Sequence, residues 1–110
     1  MRSYLVDEIA PKDMEKITAY LRNTAISSSL EKIYWLQVPE DLLSGSQFAH
    51  TGCRPHVFAV ELGASWIKLE FFSRSLTGVR CSCQGYCTEP QSLYIIRFVH
   101  EMLDNLEINT

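Results

Sequence analysis

Two runs of alternating apolar residues, His56–Leu62 and Trp66–Ser75, flank Gly63-Ala64, and a β-hairpin is the structure that best accommodates them. Glycine at the first loop position suits a type II′ turn. A two-residue loop then pairs Leu62 with Ser65, Val60 with Ile67, Phe58 with Leu69 and His56 with Phe71. This register gathers the strong hydrophobes of both strands on one face and leaves Val57, Ala59, Glu61, Trp66, Lys68 and Glu70 on the other. Leu76-Thr77-Gly78 reads as a three-residue loop with Gly78 in the left-handed region, returning Val79–Gln84 as a further strand. In that strand Val79, Cys81 and Cys83 face inward, while Arg80, Ser82 and Gln84 join Phe72 and Arg74 outside.

The flanking segments carry helical spacing. Pro11 occupies a first helical position, where its missing N–H costs nothing, and Met14, Ile17, Leu21 and Ala25 recur at three to four residues, predicting a helix from Pro11 to about Asn23. Thr88 with Gln91 three residues on forms a capping box for a second helix over 89–106. Its stripe is Leu93, Ile96, Val99, Leu103 and Leu106, widened by Ile95, Phe98 and Met102. Ile33–Val38 is a short strand stopped by Pro39, and Pro39–Pro55 is too long for bare loop, so a short helix broken near Gly45 is expected there.

The expected fold is a single α+β domain over 1–110: a two-layer sandwich with an antiparallel meander of about four strands and both long helices on one face. The expected core is Ile17, Leu21, Leu36, Phe58, Val60, Ile67, Leu69, Phe71, Cys81, Cys83, Ile96, Val99 and Leu103. A net charge of −3 argues against general nucleic-acid binding. No apolar run is long enough for a membrane span, and the opening MRSYLVDEIA lacks the apolar stretch of an export signal. A cytoplasmic location with free thiols is therefore expected for the four cysteines.

The element order resembles that of the double-stranded RNA-binding domain, α-β-β-β-α, but Thr88-Glu89-Pro90-Gln91 puts an acid where such a domain meets phosphate. In size, charge and order the chain also resembles small acidic bacterial secretion chaperones, which dimerise and hold a partner; no motif accompanies that resemblance.

Three chemical readings compete. The outer sheet face mixes aromatics and arginines, the composition of an interface, which favours a non-catalytic module binding a protein partner or itself through Trp35, Trp66, Phe72, Arg74 and Arg80, with no cofactor. The alternative is a zinc protein: His50, Cys53, His56, Cys81, Cys83 and Cys87 offer six donors. Against it, the deduced register places His56 and Cys83 on opposite sides of Phe71, roughly 9–10 Å apart. Finally, Cys87 directly precedes the helix N-cap, where partial positive charge favours a thiolate, making it the candidate reactive thiol of an enzyme. No established catalytic motif accompanies it.

Overall fold

The computed structural model describes all residues from Met1 to Thr110. In chain order the elements are β1 (Ser3–Val6), α1 (Pro11–Thr24), β2 (Ile26–Ser27), β3 (Ile33–Gln37), α2 (Gly45–Ala49), β4 (His56–Leu62), β5 (Ile67–Glu70), β6 (Phe72–Ser75), β7 (Gly85–Tyr86) and α3 (Glu89–Asn105). Short 3₁₀ turns at Glu40–Leu42 and Thr51–Cys53 flank α2. No helix is long and apolar enough to cross a membrane.

This is the expected α+β class, with an antiparallel sheet, but not the four-strand meander. The sheet runs β1-β5-β4-β3-β2, with β6 pairing β4 beyond β5 and β7 pairing β6. Residues 79–84 form turns and contribute no strand. A seventeen-residue core joins Met14, Ile17 and Leu21 of α1 and Ile95, Val99, Met102 and Leu103 of α3 to Leu36, Phe58, Val60, Ile67 and Leu69 of the sheet, so both long helices share one face.

The central hairpin slips by two residues from the expected register. Leu62 pairs with Ile67 and Val60 with Leu69, closing a four-residue loop in which the Gly63 N–H donates to the Trp66 carbonyl at 2.8 Å. Gly63 is not left-handed. Its requirement is steric, since a Cβ there would lie 2.0 Å from the Trp66 ring. A slip of two preserves which side chains face inward, so the expected inner face survives the wrong pairing. From Leu69 to Arg74 the chain advances five residues while β4 advances three, from Val60 to Val57. This bulge at Phe71 is where the neighbouring strand changes. The Phe71 N–H donates to the Arg2 carbonyl beside β1, and its carbonyl accepts from the Cys87 N–H beside β7.

Three expected core residues, Phe71, Cys81 and Ile96, are only partly buried. The buried face of α3 is rotated relative to the apolar stripe: Gln91, Ile95 and Val99 are buried, whereas Leu93 is 46% exposed. A polar residue occupies the inward position at the helix start, which hides that face from a hydrophobic pattern. Across the sheet, Val57 and Ala59 are buried on the outer side. There the Arg74 guanidinium bonds Glu70 and stacks on Phe72, Phe72 meets Tyr86 edge-on, and Arg2 covers Tyr86.

Candidate metal centre

The chemistry concentrates at the end of the sheet where β4 begins and β6 ends. One donor segment descends from α2. Ser44 caps that helix and Gln47 closes a capping box, a Ser-x-x-Gln pattern that marks the helix start in the sequence as Thr88-x-x-Gln91 does for α3. The helix therefore starts at Gly45, where a break was expected. Its end delivers His50, and the Thr51–Cys53 turn delivers Cys53. A cis Arg54–Pro55 bond leads into β4.

The second segment is the nine-residue loop from Leu76 to Gln84 between β6 and β7. Hydrogen bonds fasten it to the first. The Thr77 hydroxyl donates to the Gly52 and Arg54 carbonyls, the Leu76 N–H to the Pro55 carbonyl, and the Ser75 hydroxyl to the Cys53 carbonyl. The Gln84 amide accepts from the Ser75 N–H and donates to the Val79 and Cys81 carbonyls, folding the loop on itself. The Cys81 N–H closes a turn on the Gly78 carbonyl.

The result is a four-donor cluster. One side-chain donor atom from each of His50, Cys53, Cys81 and Cys83 lies within 4.8 Å of the other three. Four donors around a tetrahedral zinc with bonds of about 2.0–2.3 Å stand about 3.3–3.8 Å apart, so small adjustments close the shell. His50 Nδ1 lies 3.2 Å from Cys81 Sγ. Buried His56 lies behind the cluster with Nε2 3.3 Å from Cys83 Sγ, and its Nδ1 is buried without a partner. The expected 9–10 Å separation of His56 from Cys83 is thus overturned: because 79–84 is a loop, Cys83 reaches the end of β4 instead of lying one strand further out.

The thiols differ in environment. Hydrogen bonding from the Cys83 backbone N–H, then from the Cys83 and Cys53 thiols, pulls the Cys81 thiol down to about 7. Burial pushes Cys83 up to about 12. Burial, followed by the charge of Arg54, lowers the pKa of His56 and so favours the neutral ring. Cys87 stands apart from the cluster, and burial pushes its thiol up to about 11 against a smaller opposing effect of the Ser73 hydroxyl. Desolvation is the larger influence on this thiol and acts in the direction opposite to the activation expected at the helix start.

A buried amide network supports the site. Gln47 Nε2 donates to the Cys83 carbonyl, while Gln47 Oε1 accepts from the Ser44 N–H and from Gln91 Nε2. Gln91, the matching residue of the α3 capping box, also donates to the Leu42 carbonyl and accepts from the Ser73 hydroxyl and the Thr88 N–H. The two helix starts, the sheet and a cluster residue thus share one network.

Gly78 allows the loops to meet. A Cβ there would lie 2.6 Å from Cys53 Sγ and 3.1 Å from Ser75 Oγ, whereas one at Gly52 would meet nothing within 4 Å. Gly78 is not left-handed, so close approach rather than backbone freedom requires glycine. Gly78→Ala should weaken metal binding at least about tenfold, the order of a supporting-shell defect, while Gly52→Ala leaves it unchanged. A competition titration against a chromogenic chelator reads both.

Of the proposed interface residues, Trp35, Trp66, Phe72 and Arg74 are half-buried on sheet strands or their loop, and Arg80 is exposed on the 76–84 loop rather than on the outer face. The donor cluster corrects the sequence's preference for a purely non-catalytic interaction module: the zinc alternative is the reading that gathers support. No family model matches this chain, and no curated protein or solved structure matches it either.

Proposed function

We propose that this chain is a zinc-binding protein whose ion is held by His50, Cys53, Cys81 and Cys83. The observation that carries the reading is their convergence, from segments nearly thirty residues apart, to within 4.8 Å. Three sulfurs and an imidazole form a soft donor set suited to zinc, and contain no hard oxygen ligand for magnesium or calcium. Four protein donors fill a tetrahedral shell and leave no position for water, which favours a structural over a catalytic ion. His56 supports the same role: its Nε2–H can donate to the Cys83 thiolate and neutralise part of its charge. The free state of all four thiols fits a reducing compartment.

Protein purified in reductant without a metal-affinity tag should contain about one zinc per chain by elemental analysis. Cobalt exchanged into the site should show the intense visible bands of a tetrahedral thiolate complex. Cys83→Ser should abolish those bands and Cys87→Ser should retain them. Purified protein with far less than one zinc, and no uptake by the reduced chain, would sink the reading and leave the Cys81–His50 pair as a thiol-dependent site.

A further inference from the structure

Resting on the zinc reading, we propose that the site is opened by a peroxide, which joins Cys53 to Cys81 in a disulfide and releases the metal. Three sulfurs share the cluster, but they are not equivalent. Cys53 and Cys81 are partly exposed, whereas Cys83 is 4% exposed with its sulfur already facing His56 Nε2. Oxidant therefore reaches Cys53 and Cys81 first. These two come from separate loops, so a bond between them does not have to close the tight ring that Cys81 and Cys83, separated by one residue, would form. Gly78 also leaves the space through which Cys53 faces the turn ending at Cys81. Cys87 is outside the cluster and takes no part.

The chemistry balances with the peroxide as the only oxidant. The Cys81 sulfur gives an electron pair to one peroxide oxygen and the O–O bond breaks, leaving a sulfenic acid on Cys81 and a hydroxide that takes a proton. The Cys53 thiolate then attacks the Cys81 sulfur, forming the S–S bond and expelling a second hydroxide, protonated in turn. Two thiolates lose two electrons, the peroxide gains them, and two waters leave. His50 and Cys83 remain as donors, too few to close a zinc shell. The seventeen-residue core contains none of the cluster residues, so the oxidised protein keeps its fold, with the two loops held by the disulfide in place of the metal.

The test uses the zinc-loaded full chain. Zinc content is measured before oxidant, and a chromogenic chelator then follows its release by hydrogen peroxide. One equivalent should be released together with a 2 Da mass loss, peptide mapping should find Cys53 linked to Cys81, and a dithiol reductant plus zinc should restore the starting state. Cys53→Asp, which keeps a zinc-competent donor but removes the resolving thiol, should release zinc more slowly and yield sulfinic acid at Cys81. Absence of zinc before oxidant refutes the metal reading itself. A loaded protein that retains zinc, or forms its disulfide through Cys83 or Cys87, overturns the redox proposal and leaves the metal reading intact.

Discussion

Removing zinc should melt one end of this protein and leave the other folded. Residues 76–84 have no regular secondary structure, and the bonds donated by their backbone N–H groups are few: Leu76 to the Pro55 carbonyl, Gly78 to the Ser75 hydroxyl, Cys81 to the Gly78 carbonyl and Gln84 to the Cys81 carbonyl. Cys81 and Cys83 would be their strongest anchors once metal is bound. The hydrophobic core, by contrast, has α1, α3 and the central strands packed without any cluster residue. Chelation should therefore bring amide exchange at Gly78–Gln84 and Thr51–Arg54 close to the rate of an open chain, while Phe58, Val60 and Ile95–Leu103 stay protected. Metal at a hundred times its dissociation constant adds about 2.7 kcal/mol to a state that alone can bind it. In a domain of this size that is roughly 10–20 °C of melting temperature. Exchange mass spectrometry and thermal unfolding, each with zinc and with chelator, check the two parts. Uniform loss of protection over the whole chain would show that core and loops form one cooperative unit.

The legible parts of the fold are those with local causes. Pro11 and the Met14–Ile17–Leu21 spacing define α1, while Thr88 with Gln91 fixes the start of α3. Tyr34, Leu36 and Val38 are buried along one face of the chain at β3, as their alternation implies. The alternation in β4 and β5 correctly divided inner from outer residues even though the pairing slipped, because the pattern has period two and is blind to an even shift. Strand β1 and the two residues of β2 are too short to announce themselves.

The site was half legible. Its four donors were among the six candidates, and the obstacle was the loop that contains two of them. Val79, Cys81 and Cys83 alternate with Arg80, Ser82 and Gln84, so the stretch imitates a strand. What makes it a loop is non-local: Gln84 turning back on Val79 and Cys81, Thr77 reaching the Gly52 carbonyl, and Gly78 pressing close to Cys53. None of these contacts leaves a periodic mark.

The largest loss of stability should come from a single polar residue. Gln91 is 1% exposed and uses both ends of its amide, accepting from Thr88 and Ser73 and donating to Leu42 and Gln47. Gln91→Ala would strand those partners, and each buried group left unpaired costs about 1–3 kcal/mol. The losses overlap because the partners share one network, so about 3–5 kcal/mol is expected, set against a usual domain stability of about 5–15 kcal/mol. Gln91→Glu divides the effect: a carboxylate still accepts from Thr88 and Ser73 but faces the Leu42 carbonyl and Gln47 Oε1 with no proton to donate. Its folded pKa should therefore be raised, making the destabilisation greatest above that pKa and relieving it as pH falls and the acid protonates. Gln47→Ala should show the complementary profile, because Gln47 holds the Cys83 carbonyl directly. It should lower zinc affinity about 10–100-fold, the usual range for a supporting residue behind a ligand. Urea unfolding of the zinc-free proteins and zinc competition on the folded ones separate these effects. Gln91→Ala within 1 kcal/mol of the parent would mean that water or rearranged side chains satisfy the stranded groups, and that the two helix starts are not joined through this amide.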